Sequence, residues 1–204
     1  MRKTAEERLA EISAMDKALW AQGKVFAGID EAGRGPLAGP VAAGCAVMPS
    51  HTLLLGVDDS KKLSEKKREA LYEQILGAAA FANVGLATVE EIERLNIREA
   101  TKLAMARAAE GAGCGLFLLD AMDGLAVPGE QRAIVRGDAV CYSIAAASIL
   151  AKVARDRLML KLDAEYPRYG FARHKGYGTA EHIAALRAYG PCPAHRSLFI
   201  RKFV

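Results

Sequence analysis

Short apolar runs alternate with stretches of helical spacing along this 204-residue chain. The short runs are bounded by glycine, proline or acidic residues, which is typical of strands buried in a sheet. We predict strands at 25–30, 41–48, 81–87, 116–119 and 133–135. Because strands come early and helices dominate later, the pattern predicts an α/β layer fold with a small helical portion at the C-terminal end.

Apolar residues at helical spacing predict helices between and after these strands. Several of the helices begin with a capping residue, and the capping residues are Ser64, Thr88 with Glu91 as a capping box, Asn96 and Thr179. The predicted helices are 4–20, 65–76, 89–95, 97–109, 142–163 and 180–188. Residues 166–178, which are rich in aromatic and basic side chains, are predicted to form a loop.

Composition and charge favour a cytoplasmic globular protein. The chain is 51% hydrophobic, which is enough to bury a core, and its net charge of +4 suits a partner with phosphates without requiring one. Residues 35–57 carry no Asp, Glu, Lys or Arg, but three prolines and four glycines interrupt them, so we predict turn, strand and turn rather than a membrane span. The four cysteines form no Cys-x-x-Cys pair, so zinc is not expected.

Acidic residues follow two of the predicted strands. Asp30 and Glu31 end the first strand, and Asp120 follows residues 116–119. If these strands are parallel neighbours, the two aspartates lie at the same edge of the sheet. Asp138, just before the long helix, adds an acid from a third element. Buried carboxylates repel one another unless a cation lies between them, so the cluster predicts two Mg²⁺ or Mn²⁺ ions.

Some of these acids also have simpler interpretations. Asp138 could equally cap the long helix, and Asp120 could be an ordinary turn residue. Glu31 directly follows Asp30, and adjacent strand residues point to opposite faces, so Glu31 shares the site only if the strand ends there. Asp123 precedes a glycine and is assigned to a turn.

The tripeptide Gly33-Arg34-Gly35 follows the first acidic pair. Glycines on both sides of an arginine let backbone N–H groups approach a phosphate or a sugar hydroxyl. The segment differs from a dinucleotide-binding fingerprint because its last glycine is one residue too far away and prolines follow instead of a helix. A solvent-exposed turn is the alternative, but its position beside two acids favours contact with substrate.

Basic and aromatic residues lie near these motifs. Lys61 belongs to a lysine-rich turn that either is a solvated face or follows a phosphate backbone. Ser148 and Lys152 are one turn apart on the long helix and so share a face. Tyr177 lies between two glycines, where it could stack on a sugar or base or lie half-buried under the loop. His174 is as readily a hydrogen-bonding loop residue as a catalytic group.

Four motifs together resemble bacterial ribonuclease HII, the type 2 ribonuclease H, over residues 23–200. The motifs are residues 30–41, 58–64, 143–153 with Arg155-Asp156, and 174–179. The resemblance implies a ribonuclease H-like mixed β-sheet flanked by helices. It also implies a catalytic domain at 1–165 and a helical C-terminal extension at 166–204 that completes the substrate site.

The resemblance further implies an endoribonuclease that needs Mn²⁺ or Mg²⁺. It would cut the RNA strand of RNA–DNA hybrids and 5′ of single ribonucleotides in duplex DNA, by two-metal-ion hydrolysis, as a monomer, leaving 5′-phosphate and 3′-hydroxyl ends. The implied metal ligands are Asp30, Glu31, Asp120 and Asp138. The implied substrate-binding residues are Gly33, Arg34, Gly35, Lys61, Ser148, Lys152 and Tyr177. Two alternatives remain, a nuclease acting on DNA alone and a non-catalytic nucleic-acid binder.

Overall fold

A five-stranded mixed sheet forms the centre of the computed structural model, which describes residues 3–204. Its strands are β1 (Phe26–Ala32), β2 (Val41–Val47), β3 (Phe81–Ala87), β4 (Leu116–Asp120) and β5 (Glu130–Ile134), in the spatial order β3-β2-β1-β4-β5. The first three strands form an antiparallel meander, whereas β4 runs parallel to both β1 and β5. The predicted α/β class is therefore confirmed.

Ten helices accompany the sheet within the described residues. They are α1 (Ala5–Ile12), α2 (Ala14–Ala21), α3 (Glu65–Ala78), α4 (Val89–Leu95), α5 (Ile97–Ala109), α6 (Gly137–Val140), α7 (Tyr142–Glu165), α8 (Phe171–His174), α9 (Ala180–Tyr189) and α10 (Ser197–Ile200). Helix α7 crosses β1 and β2 on one face of the sheet with α3 beside it, and α5 covers the other face. No helix in residues 3–204 is long and apolar enough to cross a membrane.

The predicted caps are all present. Ser64, Thr88, Asn96 and Thr179 each accept a hydrogen bond from the first turn of the helix that follows, and Glu91 completes the capping box. These caps could be read locally because the accepting side chain and the donating amide are only two or three residues apart.

Three predicted boundaries were wrong. The helix predicted at 4–20 divides at Ser13, whose hydroxyl donates to the Leu9 carbonyl at 2.7 Å. The fifth strand lies at 130–134 instead of 133–135. It is an exposed edge strand with little apolar character, so the apolar pattern did not mark its bounds. The segment 166–178 is not wholly loop: it contains a 3-10 turn at Pro167–Tyr169 and helix α8, which are too short to show a periodic pattern.

Glycines on β1 and β2 let α7 lie directly on the sheet. A Cβ atom on Gly28 would lie 2.2 Å from the Ser143 backbone, and one on Gly44 would lie 2.2 Å from the Ala147 carbonyl oxygen. Since backbone atoms cannot move aside as a flexible side chain can, both positions require glycine. This close approach brings the Ser148 and Lys152 turn of α7 to the edge of the sheet where β1 ends.

Helix α2 fixes the beginning of α7. The buried Asp16 carboxylate accepts hydrogen bonds from the Tyr142 and Ser143 amides, both at 2.9 Å, and from the Ser143 hydroxyl. Asp16 therefore does the capping that the sequence suggested for Asp138, which lies instead in the first turn of α6. The residue that caps the first turn of α7 is therefore not adjacent in sequence but lies more than 120 residues away from it along the chain.

Replacing Gly44 with alanine is expected to destabilise the protein by about 1–3 kcal/mol, because the new methyl group must push α7 away from the sheet. Gly77 is a matched control, since it lies in α3 with open space around its Cβ position. Gly77→Ala is expected to be neutral or to stabilise by up to about 1 kcal/mol. The measurement is the free energy of unfolding in urea, and equal values for the two variants would contradict the proposed packing.

Candidate active site

Three aspartates from three elements converge at one edge of the sheet. Asp30 in β1 and Asp120 at the end of β4 lie next to each other, because the strands are parallel with Ile29 paired to Leu119. Asp138 reaches the same point from α6, which follows the neighbouring strand β5. One carboxylate oxygen of each aspartate lies within 4.8 Å of the other two. Distances of this size suit oxygen ligands around a shared cation.

Glu31 lies outside this trio but lines the same cleft. Its Oε1 accepts a 3.3 Å hydrogen bond from Arg34, while its Oε2 is buried and has no hydrogen-bond partner among the described residues. The strand does not end at Glu31, as the sequence argument required, but continues to Ala32. The cleft nevertheless contains the side chains of both Asp30 and Glu31. A buried carboxylate oxygen that has no hydrogen-bond partner in the protein is available to bind a cation.

The acids raise one another's pKa values. Burial raises the pKa of Asp30 well above its ordinary value, and the carboxylates of Glu31 and Asp120 raise it further. Burial likewise raises the pKa of Asp120, although the Gly137 amide donates to its Oδ1 at 2.7 Å. This accumulation of buried negative charge favours binding of a divalent cation.

Lys61 supplies positive charge to the cluster. Its ammonium group lies 3.0 Å from Asp138 Oδ2, although the side chain as a whole is 74% exposed. Burial of the amine lowers its pKa, but the hydrogen bond to Asp138 together with the charges of Asp138, Asp30 and Asp59 outweighs burial and raises the pKa to about 12. One lysine cannot balance four carboxylates. The donor set is therefore made of oxygen atoms and remains rich in negative charge, which fits hard divalent ions such as Mg²⁺ or Mn²⁺.

A cleft of about 190 Å³ joins the acids to the predicted substrate-binding residues. Its walls include Asp30, Glu31, Gly33, Arg34, Gly35, Ser60, Lys61, Asp120, Lys152 and Tyr177. The structure therefore places nearly every predicted site residue around one space.

Two buried arginines hold the turn that contains Gly33, Arg34 and Gly35. Arg196 is fully buried and donates to the carbonyl oxygens of Gly33 (2.6 Å), Arg34 (3.0 Å), Pro36 (2.9 Å) and Gly39 (2.7 and 2.9 Å). These hydrogen bonds use the carbonyl groups of the turn and leave the backbone N–H groups of residues 33–35 unused. The amides of residues 33–35 make no hydrogen bond within the described part of the chain.

Arg155 supports the other end of the same turn. Its guanidinium donates to the carbonyl oxygens of Ala38, Pro40 and Lys175 at 2.9–3.1 Å. Gly33 has a φ of +99°, and a Cβ there would lie 2.0 Å from Arg155 Nε, so this glycine is required by the packing as well as by its backbone conformation. A Cβ on Gly35 would meet nothing within 4 Å. Gly35 is thus the position where the absence of a side chain leaves the cleft open.

Sequence reasoning missed the part played by these arginines. Arg155 lies on the buried stripe of α7 between Ala151 and Met159, and a charged residue at this spacing is a signal that could have identified it. Arg196 gave no such signal, because it precedes a helix of only four residues.

The other two predicted phosphate contacts on α7 differ in exposure. Lys152 lines the cleft and is paired with both carboxylate oxygens of Asp156, and burial lowers its pKa. Ser148 is only 2% exposed, and its hydroxyl donates to the Ala145 carbonyl at 2.8 Å and accepts from the Ser60 amide at 3.3 Å. Ser148 thus lies behind the turn that carries Lys61, and its predicted phosphate contact stays a prediction.

Tyr177 presents its ring at the mouth of the cleft. Its side chain is 43% exposed, and the Arg155 guanidinium carbon lies 5.9 Å from the ring centroid. Its backbone is held on both sides, because its amide donates to the His174 carbonyl at 2.9 Å and its carbonyl oxygen lies 2.9 Å from His182 Nδ1. His174 is buried and hydrogen-bonds the Tyr169 carbonyl and the Gly176 amide, as expected of a loop residue.

Comparison with known proteins supports a common origin with one family. The sequence model described as Ribonuclease HII matches residues 27–202. Ribonuclease HII of Desulfitobacterium hafniense is 52% identical over 196 residues, 95% of this chain and 75% of the relative. Ribonuclease HII of Albidiferax ferrireducens is 50% identical over 183 residues, 89% of this chain and 88% of the relative. The crystal structure of ribonuclease H2 from Pyrococcus horikoshii superimposes with a TM-score of 0.74 at 28% identity, covering 87% of this chain and 96% of that one.

Asp30→Asn is expected to raise the melting temperature in EDTA by about 2–4 °C, the shift that roughly 1 kcal/mol gives in a chain of this size. The substitution removes a buried charge repelled by Glu31 and Asp120, while Asn Oδ1 can still accept from the Glu31 amide. Adding Mn²⁺ is expected to stabilise the wild type and to have little effect on the variant.

Asp123→Asn is the matched control for this measurement, because Asp123 is an exposed turn residue outside the cluster. It is expected to leave both melting temperatures unchanged. An Asp30→Asn protein that Mn²⁺ stabilises as strongly as the wild type would rule Asp30 out as a ligand.

Proposed function

The chain belongs to the ribonuclease HII family, and from this premise we propose its substrates, its cations and the role of each site residue. As a member of this family it is a metal-dependent endonuclease that acts on RNA–DNA hybrids. We propose that it also cuts 5′ of a single ribonucleotide embedded in duplex DNA, leaving a 5′-phosphate and a 3′-hydroxyl end.

We propose that Asp30, Glu31, Asp120 and Asp138 hold two Mg²⁺ or Mn²⁺ ions. Two observations support this assignment: three aspartate oxygens lie within 4.8 Å of one another, and the buried Oε2 of Glu31 has no partner among the described residues. Bound divalent ions would activate water and neutralise charge on the scissile phosphate. Asp30 is buried and feels the charges of Glu31, Asp120 and Asp138, which suits a ligand shared by both ions.

The observation that carries the proposed substrate is the shared cleft. Asp30, Asp120, residues 33–35 with their free amides and the exposed Tyr177 line one space, so a backbone phosphate at the acids would bring its sugar to the turn. We propose that the turn amides of Arg34 and Gly35 hydrogen-bond the ribose 2′-hydroxyl, which deoxyribose lacks. Tyr177 then stacks on the following deoxyribose, which a second 2′-hydroxyl would obstruct.

Positive side chains around the cleft suit the flanking phosphates. Lys61 and Lys152 both line it, and we propose that each contacts the duplex backbone when substrate binds. Lys61 would then leave Asp138, whose carboxylate becomes available to a cation. Arg34 is half exposed and bound to Glu31, so it lies where it can approach the sugar-phosphate chain.

The two alternative functions fit this site less well. A nuclease acting on DNA alone has no use for a turn that offers amides beside the scissile phosphate. A non-catalytic binder would be weakened by a cluster of acids that repels phosphate. Because both alternatives predict different substrates or no cleavage, one assay separates them from the proposed function.

The assay compares three substrates: duplex DNA, an RNA–DNA hybrid, and duplex DNA with one ribonucleotide. Each is incubated with Mn²⁺, Mg²⁺ or EDTA. We expect cleavage of the second and third substrates with either metal and none in EDTA. Asp120→Asn is expected to be inactive, whereas the control Asp123→Asn cuts normally. Cleavage of plain duplex DNA, or an intact single-ribonucleotide substrate, would contradict the proposed specificity.

Tyr177→Ala is expected to slow cleavage of the single-ribonucleotide duplex by roughly ten- to hundredfold. The loss follows from the proposed stacking of the ring on the sugar, taken by analogy with base–aromatic stacking to stabilise binding by about 1–3 kcal/mol. Tyr177→Phe keeps the ring and should lose less. The measurement is kcat/KM on the single-ribonucleotide and all-RNA hybrid substrates. Equal rates for wild type and Tyr177→Ala would make Tyr177 a packing residue.

A further inference from the structure

We propose that His182 and His195 are positioning residues that set the place of Tyr177 through a chain of hydrogen bonds between neutral imidazole rings. The inference rests on the role proposed for Tyr177 in reading the substrate. It concerns two buried side chains that contact neither the acids nor the cleft.

The hydrogen-bond partners allow one arrangement of protons. His195 Nδ1 lies 3.0 Å from the Cys192 amide, which donates to it, and 3.3 Å from the Cys192 carbonyl oxygen; the shorter contact places the proton of neutral His195 on Nε2. That Nε2 lies 3.0 Å from His182 Nε2, which must therefore accept. The remaining proton of His182 is on Nδ1, which lies 2.9 Å from the Tyr177 carbonyl oxygen and donates to it. Each ring thus gives one proton and takes one, and the chain ends on Tyr177.

The surroundings keep both rings neutral. His182 is fully buried and His195 is 5% exposed. His174 stacks on His182 with 4.4 Å between ring centroids, and Phe171 approaches both imidazoles at 5.5 Å. Two further titratable groups contact His195: Tyr169 packs against its ring, and Cys192 Sγ lies 3.2 Å from its Nδ1. The other charged groups nearby are Glu181, which is bound to Arg173, and the two buried arginines that hold the turn, Arg155 and Arg196. No carboxylate among residues 3–204 hydrogen-bonds either ring.

Protonation would break this chain. A charged His182 would place two N–H groups against each other at the 3.0 Å contact between the rings, and a charged His195 would place its new Nδ1 proton against the Cys192 amide N–H. Burial, with the charge of His182, lowers the pKa of His195 to about 4, and burial also lowers the pKa of His182. Because the folded pKa is below the ordinary value, the stability from His195 is fully present above about pH 6.5 and is lost as the pH falls toward 4.

The chain gives Tyr177 a fixed backbone on a surface where its ring has few neighbours. Tyr177 as a whole residue is 43% exposed, so packing alone does not determine the position of its ring. The Tyr177 amide donates to the His174 carbonyl, and the Tyr177 carbonyl oxygen accepts from the Thr179 amide at 2.8 Å as well as from His182 Nδ1. His182 therefore adds a contact from the buried side to a carbonyl group that the local turn already holds.

Two substitutions of His182 separate hydrogen bonding from space filling. An asparagine amide nitrogen lies near the place of Nδ1 and can still donate to Tyr177, whereas a glutamine amide lies near the place of Nε2 and cannot. We expect His182→Gln to lose roughly two- to tenfold in kcat/KM on the single-ribonucleotide duplex and His182→Asn to lose less. Glutamine fills the space better, so a residue that only fills space would give the opposite order. That order would overturn the proposal.

The same substitution is then made in the Tyr177→Ala protein. If His182 acts through Tyr177, His182→Gln costs activity in the wild type and almost nothing in Tyr177→Ala. An equal loss in both backgrounds would overturn the proposal, because it would show that His182 acts on the whole protein. Melting temperatures of all variants show which losses come from unfolding.

Nitrogen-15 NMR of the wild-type imidazoles tests the chain without substrate or metal. We expect a proton on Nδ1 of His182 and on Nε2 of His195 at pH 7, with His195 neutral down to about pH 5. The opposite tautomers, or a His195 that charges near pH 6.5, would overturn the proposed chain. A confirmed chain together with a fully active Tyr177→Ala would place the failure in the role proposed for Tyr177.

Discussion

The turn at residues 33–39 depends on one buried guanidinium group, that of Arg196, whose hydrogen-bond partners are the carbonyl groups of the turn. Burying a cation is costly unless all of its donors are used, and Arg196 uses them on four carbonyl oxygens of the turn at residues 33–39. Burial and the nearby charge of Arg155 lower the pKa of Arg196 to about 9, which still leaves it charged at neutral pH. The turn therefore directs these carbonyls inward, while the amides of residues 33–35 have no hydrogen-bond partner among the described residues.

The close contact between α7 and the sheet connects the turn at residues 33–39 to the rest of the molecule. Because Gly28 and Gly44 let the helix lie on β1 and β2, Arg155 reaches the turn from the helix while Arg196 reaches it from the C-terminal segment. Residues 166–204 are thereby joined to the sheet edge through side chains and through the bridge between Ala38 and His195. The division into a domain at 1–165 and an extension at 166–204 stays a prediction, and the segment 166–204 contributes Tyr177 to the wall of the cleft.

The sequence predicted what depends on local pattern. Asp30 and Asp120 were found because each follows an apolar strand, and parallel strands bring such residues together. Asp16 and Arg196 were missed because their partners lie more than 120 residues away, at distances where sequence pattern carries no information. The edge strand β5 was misplaced for a related reason, since its exposure removes the apolar signal that marks a buried strand.

The two sides of the cleft solve the problem of buried polar groups in opposite ways. On the acidic side, carboxylates face one another and need a cation, so their repulsion lowers stability until one binds. On the other side, the guanidinium groups of Arg155 and Arg196 donate to carbonyl oxygens and the neutral imidazoles of His182 and His195 hydrogen-bond each other, so these buried side chains already have their partners. The turn and Tyr177 are therefore formed before any cation arrives. Under the proposed function, separating the two sides in this way would let the turn and Tyr177 position the sugar independently of the ions held by the four acids.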